Sequence, residues 1–375
     1  MQRTKKPQSQ SSVKDVVEQV EASAKKPTRV IAQEGSDTYI PTGPDVLDLM
    51  LGGGGMQVGK MVNIIGDKSS GKSLLASEII AAAFKKYGAK RLKWRYDDAE
   101  AGYSFDSKRL YGLQIVDPDF TPSYTIEDFR RNLDNELRKL REGQLLIYVL
   151  DCFDSLTTDA EVKHSKKKQK ASEDGTDAKG SYGTSKAKEM SEFFRLMRKD
   201  IKDKNCLLII ISQVRENIGV MFGEKYTRSG GKALDFYASI LLWLAEVEKL
   251  YRRKTPAGVS IKARSKKNKQ SKGNPFRECF FQMWFDYGVD NILSSLHYLY
   301  DLYTDKGKLK TGKEDEDGGA TVKKIKWDGK EMTVEHAIKY IELRNQEDVL
   351  LEKITKKWDD FQASIATKGR KPRYE

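Results

Sequence analysis

Cysteine and histidine are both scarce in this sequence, with three of each, and that shortage excludes several kinds of protein. Cys152, Cys206 and Cys279 lie inside apolar, strand-like runs, which suits reduced, buried thiols and leaves no disulfide framework for a small secreted fold. His164, His297 and His336 are scattered, and none stands at metal-ligand spacing from a cysteine. Long apolar runs are missing as well. No uninterrupted stretch reaches the ~18 residues that a membrane span needs, so no membrane partner is expected. The opening MQRTKKPQSQSS has no apolar region of the kind a secretory signal carries. The expected compartment is a cytoplasm.

What is present is a globular balance. Hydrophobic residues make up 38% and charged residues 33% of 375, enough for one full α/β core and a smaller appended domain. The formal net charge of +13 points to a polyanionic partner, although basic chains without such a partner are common.

From about residue 36 to 287, apolar runs alternate with helical patterns. Strands are expected at 60–65, 91–96, 145–150, 206–211, 238–244 and 279–285. Between them, helix 72–87 is closed by Gly88, and helix 125–141 carries Ile126, Phe129, Leu133, Leu137 and Leu140 on one face. Helix 184–203 starts at Thr184 as N-cap and buries Met190, Phe193, Phe194, Met197 and Ile201. Continuous apolar strands separated by helices imply an α/β fold with a mainly parallel sheet covered on both faces. Segments 159–183 and 214–232, both polar and glycine-containing, break this rhythm, as does the densely basic 262–275. Residues 1–35 form an N-terminal segment in which Val13, Val16, Val17 and Val20 mark a short amphipathic helix, either an arm that docks on a neighbour or a frayed terminus. Residues 288–362 read as a small C-terminal α/β domain with Leu350, Ile354, Trp358 and Phe361 on one helical stripe, and 363–375 as a basic tail.

The sharpest chemical signal is GDKSSGKS at 66–73, a P-loop with a strand before it and a helix after it. Gly66 and Gly71 allow the tight turn. The backbone N–H groups of Asp67, Lys68, Ser69 and Ser70 then surround phosphates. Lys72 reaches the β- and γ-phosphates, and the Ser73 hydroxyl ligates Mg²⁺. ATP and Mg²⁺ are therefore the expected cofactors. Asp151, directly after LLIYVL, is placed to hold the metal, with Asp154 as a competitor more suited to capping. Asp97, Asp98 and Glu100 close the strand 91–96 at the same carboxyl edge, and any of them could activate water. Gln213, past the end of strand 206–211, can touch a γ-phosphate and report it to the loop that follows.

In order along the chain, PTGPDVLDLMLGGGG at 41–55, DAE at 98–100, SQVRENIGVMFG at 212–223 and SGGKALDFYAS at 229–239 resemble the corresponding segments of the RecA family of DNA recombinases. The resemblance runs from about 36 to 361, and takes in the region around Trp327–Gly329. It implies a RecA-type P-loop ATPase core and ATP-dependent pairing and exchange of DNA strands in recombination and repair. It singles out Glu100 as the catalytic base. It also assigns Asp151 as the metal-associated acid and Gln213 as the γ-phosphate sensor. Two DNA-binding loops are implied, 159–188 with Lys186 and Lys188, and 214–232 with Arg215, Asn217, Ile218, Gly219, Val220, Met221, Phe222, Gly223, Arg228, Gly230 and Gly231. Phe236 matches an aromatic at the subunit interface, and Lys267 and Lys269 match lysines that reach the neighbouring subunit's nucleotide. The implied partners are single- and double-stranded DNA, further copies of the chain in a helical filament, and single-strand-binding and mediator proteins. Ala187, Lys188 and Met190 ahead of Phe193, Phe194 and Arg195 follow a pattern of some phage members, which implies a phage-encoded homologue in a bacterial cell. Departures are the lysine-rich KHSKKKQK at 163–170 and a basic KGRKPRYE at 368–375, where bacterial members end in acidic tails.

Physically, Arg215, Lys225, Arg228 and Lys232 supply backbone-tracking charge, and Ile218, Val220, Met221 and Phe222 an apolar tip for bases. The competing assignment for that tip is a plug on the protein's own core. The 163–170 lysines are either a DNA contact or a solvated face. Two other functions share these motifs: a hexameric helicase built on the same core, and a paralogue that loads another recombinase without turnover.

Overall fold

The structure, a computed structural model, describes residues 38–173, 185–216, 226–228, 231–304, 308 and 324–367. The expected 1–35 segment lies outside them, as do Thr184, Asn217 through Gly223, Gly230 and residues 368–375.

The apolar strand runs have no polar alternation because both of their faces are covered. In β5 (Leu145–Asp151), Leu145, Ile147 and Val149 enter one core layer while Leu146, Tyr148 and Leu150 enter the other. β6 (Cys206–Glu216) divides in the same way, with Leu207, Ile209 and Ile211 against Cys206, Leu208 and Ile210. A short antiparallel pair, β1 (Tyr39–Ile40) and β2 (Met56–Gln57), comes first in the chain. β5 and β6 stand in one sheet with β3 (Met61–Gly66), β4 (Leu92–Asp98) and β8 (Ile240–Arg252), in spatial order β8-β3-β6-β5-β4, all neighbours parallel. One face is covered by helix α1 (Asp45–Leu51) and by α2 (Lys72–Arg91), with Leu75, Ile79 and Ile80 buried. As the sequence implies, the helix that starts at Lys72 breaks at Gly88, which leaves helical geometry at φ 70°, and a separate short helical stretch continues α2 to Arg91. A short helix α3 (Ser107–Tyr111) follows β4. The other face is covered by α4 (Ile126–Lys139) through Phe129, Leu133 and Leu137, and by α6 (Ser185–Asp203) through Met190, Phe194, Met197 and Ile201.

Beyond β8 the sheet continues antiparallel through β9 (Thr255–Asn268), β10 (Arg277–Trp284) and β11 (Gly288–Asp290). The first half of the basic segment at 262–275, expected to interrupt the rhythm, is thus strand. Val259, Ile261 and Ala263 enter the core while Arg264 is exposed. The density of lysine concealed a period of two. A second difference lies at 159–183, where a helix, α5 (Asp159–Glu173), replaces the expected polar loop. Its start is reciprocally capped. The Thr157 hydroxyl and the Thr158 amide donate to Glu161 Oε2 at 2.6 and 3.0 Å, and the Glu161 amide donates to Thr158 Oγ1 at 3.1 Å. Lysine is a good helix former, so a charge run following such a cap continues the helix.

After α8 (Asn291–Leu299), a hairpin of β12 (Lys324–Trp327) and β13 (Lys330–Thr333) leads into α9 (Val334–Leu343) and α10 (Glu347–Ile365). Trp327 is buried and its indole N–H donates to Gln346 at 2.8 Å. Leu350 and Ile354 join the same core layer as α1, Trp358 packs at its margin, and Phe361 remains on the rim beside Trp358.

Candidate functional site

Parallel strands in register end together, so their carboxyl ends place side chains of distant sequence side by side. Gly66 of β3 stands opposite Gln213 of β6, and Asp98 of β4 opposite Asp151 of β5. The P-loop leaves β3 at Gly66 and enters α2 at Lys72. Gly71 is its N-cap in the left-handed region at φ 79°, and a Cβ there would stand 2.5 Å from Ile261 Cδ1. A Cβ at Gly66 would meet Ser70 Oγ at 2.4 Å, so both glycines are required by space. No side chain caps α2. Its first N–H groups and the positive end of its dipole therefore face the loop, an arrangement that binds anions. Asp67, Lys68 and Ser69 are exposed along the loop, while the Ser70 hydroxyl donates to the Asp67 carbonyl at 2.8 Å and holds the turn.

Lys72 is buried, and its ammonium donates to the Asp67 carbonyl at 2.6 Å. Burial lowers its pKa, opposed by the charges of Asp151, Cys152, Asp67 and Glu100. Asp151 is buried too and accepts from the Tyr96 hydroxyl at 2.6 Å. Burial raises its pKa. The hydrogen bonds from Ser73 and Tyr96 work against that rise, and repulsion from Asp98 and Glu100 adds to it. Ser73 and Asp151 are thus brought together as two oxygen donors fit to hold a hard cation.

The three acids at the end of β4 are separated by what they touch. Asp97 is buried and fully engaged, accepting from the Ser123 amide at 2.8 Å, the Ser123 hydroxyl at 2.5 Å and the Tyr148 hydroxyl at 2.7 Å. Asp98 accepts from the amides of Gly102 and Tyr103 at 3.1 and 2.9 Å and holds the turn. Glu100 is exposed, and the Gln213 side-chain amide donates to its Oε1 at 3.0 Å. It alone of the three is presented to solvent with its carboxylate held by a polar side chain rather than by the fold. Asp154, in a 3-10 turn (Phe153–Ser155), accepts from the Gln213 backbone amide at 2.7 Å and so ties the end of β5 to β6.

From Gln213, β6 runs on to Glu216 and pairs antiparallel with β7 (Tyr226–Arg228), Arg215 standing opposite Thr227 and Val214 opposite Arg228. This ribbon is the root of the 217–225 segment. The chain then enters α7 (Gly231–Tyr237), on which Phe236 is 73% exposed. Lys267, in β9, donates to the carbonyls of Asp235 and Phe236 at 2.6 and 3.0 Å, beside that exposed ring, and Lys269 is exposed just beyond. On α6, Lys188 is exposed, whereas the Lys186 ammonium donates to the Leu156 carbonyl at 2.5 Å and lies 4.9 Å over the Phe153 ring.

Two neighbours of the site carry no signal in the sequence. Tyr96 reads as one more apolar strand residue, yet it orients Asp151. Cys152 reads as a core thiol, yet its sulfur lies within 3.8 Å of the Gln213 amide, and burial followed by the Glu100 carboxylate pushes it up to about 12.

Comparison with known proteins points to one family. The family model for the RecA N-terminal domain matches residues 13–290. Protein RecA of Methylobacterium sp. (strain 4-46) is similar at 34% identity over 253 residues, covering 68% of this chain and 64% of that protein. Protein RecA of Geobacter metallireducens is 32% identical over 271 residues, 71% of each. The chain spans just under two thirds of the length of the Methylobacterium relative.

Proposed function

The chain belongs to the RecA family, and from that premise we propose that it is an ATP-dependent recombinase. In this reading it assembles as a helical filament on single-stranded DNA, and pairs and exchanges strands with duplex DNA in a bacterial cytoplasm. The observation that carries the reading is the double attachment of Gln213. Its side chain holds Glu100 at the phosphate site, and its backbone begins the ribbon that leads to the second candidate DNA loop.

ATP binds with its phosphates in loop 66–73. Lys72 exchanges the Asp67 carbonyl for the β- and γ-phosphate oxygens. Ser73 and Asp151 would hold Mg²⁺, which would supply positive charge to the phosphate oxygens. Glu100 accepts the proton of the attacking water. Because Gln213 donates to Glu100, a γ-phosphate that draws this amide away both frees the base and pulls on the ribbon. DNA affinity and nucleotide state are thereby coupled. Phe236 and the Lys267–Lys269 edge form the contact to a neighbouring copy. A head-to-tail contact of that kind propagates without closing. Segment 288–362 is anchored to the ATPase core through Leu350 and Ile354.

The test is Gln213→Ala. It should retain ATP binding while losing stimulation of ATPase by single-stranded DNA. Equal stimulation in the variant and the parent would remove Gln213 from the coupling path.

A further inference from the structure

Cys152 has no part in the chemistry above, yet its sulfur lies among the groups that carry it out. One ligand atom each from Glu100, Asp151 and Cys152 lie within 4.8 Å of one another. The backbone beneath them is fixed. β4 and β5 are paired to their ends, with Asp98 opposite Asp151, and the Glu100 amide donates to the Asp151 carbonyl at 3.1 Å.

The donor types discriminate between metals. Mg²⁺ takes oxygen ligands in octahedral geometry and has no use for sulfur. Zn²⁺ accepts sulfur at ~2.3 Å and carboxylate oxygen at ~2.0–2.2 Å in a tetrahedron, which sets ligand atoms roughly 3.5 Å apart. With the three donor atoms within 4.8 Å of one another, binding would draw them together by roughly 1 Å, with the exposed Glu100 side chain free to follow. Two of the ligands already have the outer hydrogen bonds that orient metal-binding groups. The Gln213 amide donates to Glu100 at 3.0 Å, and the Tyr96 hydroxyl donates to Asp151 at 2.6 Å. Charge is balanced locally as well. Two carboxylates and a thiolate around a divalent ion leave one net negative charge, and the Lys72 ammonium interacts with all three groups.

We propose that Glu100, Asp151 and Cys152 form a binding site for a thiophilic divalent cation of the zinc class, and that its occupation inhibits the ATPase by withdrawing Glu100 and Asp151 from hydrolysis. As the metal–sulfur bond forms, the thiol proton leaves to solvent, and no electron is transferred. The inhibitory half rests on the ATPase reading given above, whereas the binding half stands without it.

The test uses the full chain without nucleotide, with Co²⁺ as the spectroscopic probe and Zn²⁺ as the inhibitor. Cys206 and Cys279 are buried in opposite core layers away from these carboxylates, so a thiolate-to-cobalt charge-transfer band reports Cys152. One equivalent of Co²⁺ should produce that band in the presence of excess Mg²⁺. Cys152→Ser, which keeps a small polar side chain, should abolish it. Glu100→Gln, in which the thiol and its surroundings remain, should weaken Co²⁺ binding about tenfold or more. Zinc inhibition of the Mg²⁺-supported ATPase should be relieved by a chelator and should require at least ~10 times more zinc in Cys152→Ser. Absence of the band in the parent, or its survival in Cys152→Ser, overturns the site. Equal zinc sensitivity of parent and Cys152→Ser overturns the inhibition. A parent with the band but with no Mg²⁺-supported ATPase would overturn the ATPase reading and the inhibitory half, and would support the binding site.

Discussion

Glu100→Gln removes the proposed base with little other disturbance. Glu100 is exposed, so folding stability should change by no more than about 0.5 kcal/mol. The glutamine carbonyl can still accept from the Gln213 amide, now 3.0 Å from Oε1, so the side chain keeps its place. Repulsion from Glu100 is one of the causes that raise the Asp151 pKa, and its removal favours an ionised Asp151 and the binding of a phosphate chain. What is lost is the acceptor for the proton of water. General base catalysis contributes typically ~10²–10⁴-fold, so the barrier should rise by about 3–5 kcal/mol. Single-turnover hydrolysis of ATP in the presence of single-stranded DNA measures that step, and titration with a fluorescent ATP analogue measures binding. The prediction is a turnover loss in that range with affinity equal to or better than the parent's. A variant that hydrolyses ATP at the parental rate would refute the reasoning. Asp97, with three hydrogen bonds, and Asp98, with two backbone amides, would then have to be tested in its place.

Lys72→Ala should weaken triphosphate binding by roughly 10- to 100-fold, since a charge-assisted contact contributes about 1.5–3 kcal/mol; an unchanged Kd in the same titration would remove Lys72 from the site. Replacing Lys163, Lys166, Lys167 and Lys168, all exposed on α5, should flatten the salt dependence of single-strand affinity by about 0.7 in slope for each phosphate these lysines neutralise. An unchanged slope would make α5 a solvated face. Glu78, on α2 beside Tyr111 and accepting from the Val289 amide at 3.3 Å, is held by burial at about 7 against an ordinary 4.5. The folded state therefore binds the extra proton between these values, and stability should fall as pH rises through that window. The loss is about 3 kcal/mol, and denaturant midpoints at the two ends should show it in the parent and not in Glu78→Gln.

The P-loop was legible because its chemistry is local: Gly66, Gly71, Lys72 and Ser73 lie within one turn and must be those residue types. Asp151 was legible because a buried apolar strand ends on it. The parallel core was legible because strands covered on both faces cannot alternate. β9 was not, because its outward residues include Lys262 and Arg264 and its inward Val259 and Ile261 are followed by the small Ala263, which weakens the alternation. α5 was hidden for a related reason, since a charge run gives no apolar stripe and the signal lay in the cap formed by Thr158 and Glu161. The choice among Asp97, Asp98 and Glu100 could not be made from adjacency. Ser123, Tyr148 and Gln213, which the fold brings in from far along the chain, give the three acids different surroundings and support Glu100 as the proposed base. Cys152 is the same case: its neighbours in sequence describe a core thiol, and its neighbours in space are Glu100 and Gln213.

Under the proposed function, ATP binding drives an open assembly of this chain on DNA. Negative-stain imaging of the full chain with long circular single-stranded DNA, with and without a slowly hydrolysed ATP analogue, tests it most directly. Continuous helical filaments should cover the circles when the analogue is present and be lost when it is withheld. Closed rings threaded by DNA, or nucleotide-bound protein that never assembles on it, would contradict the claim.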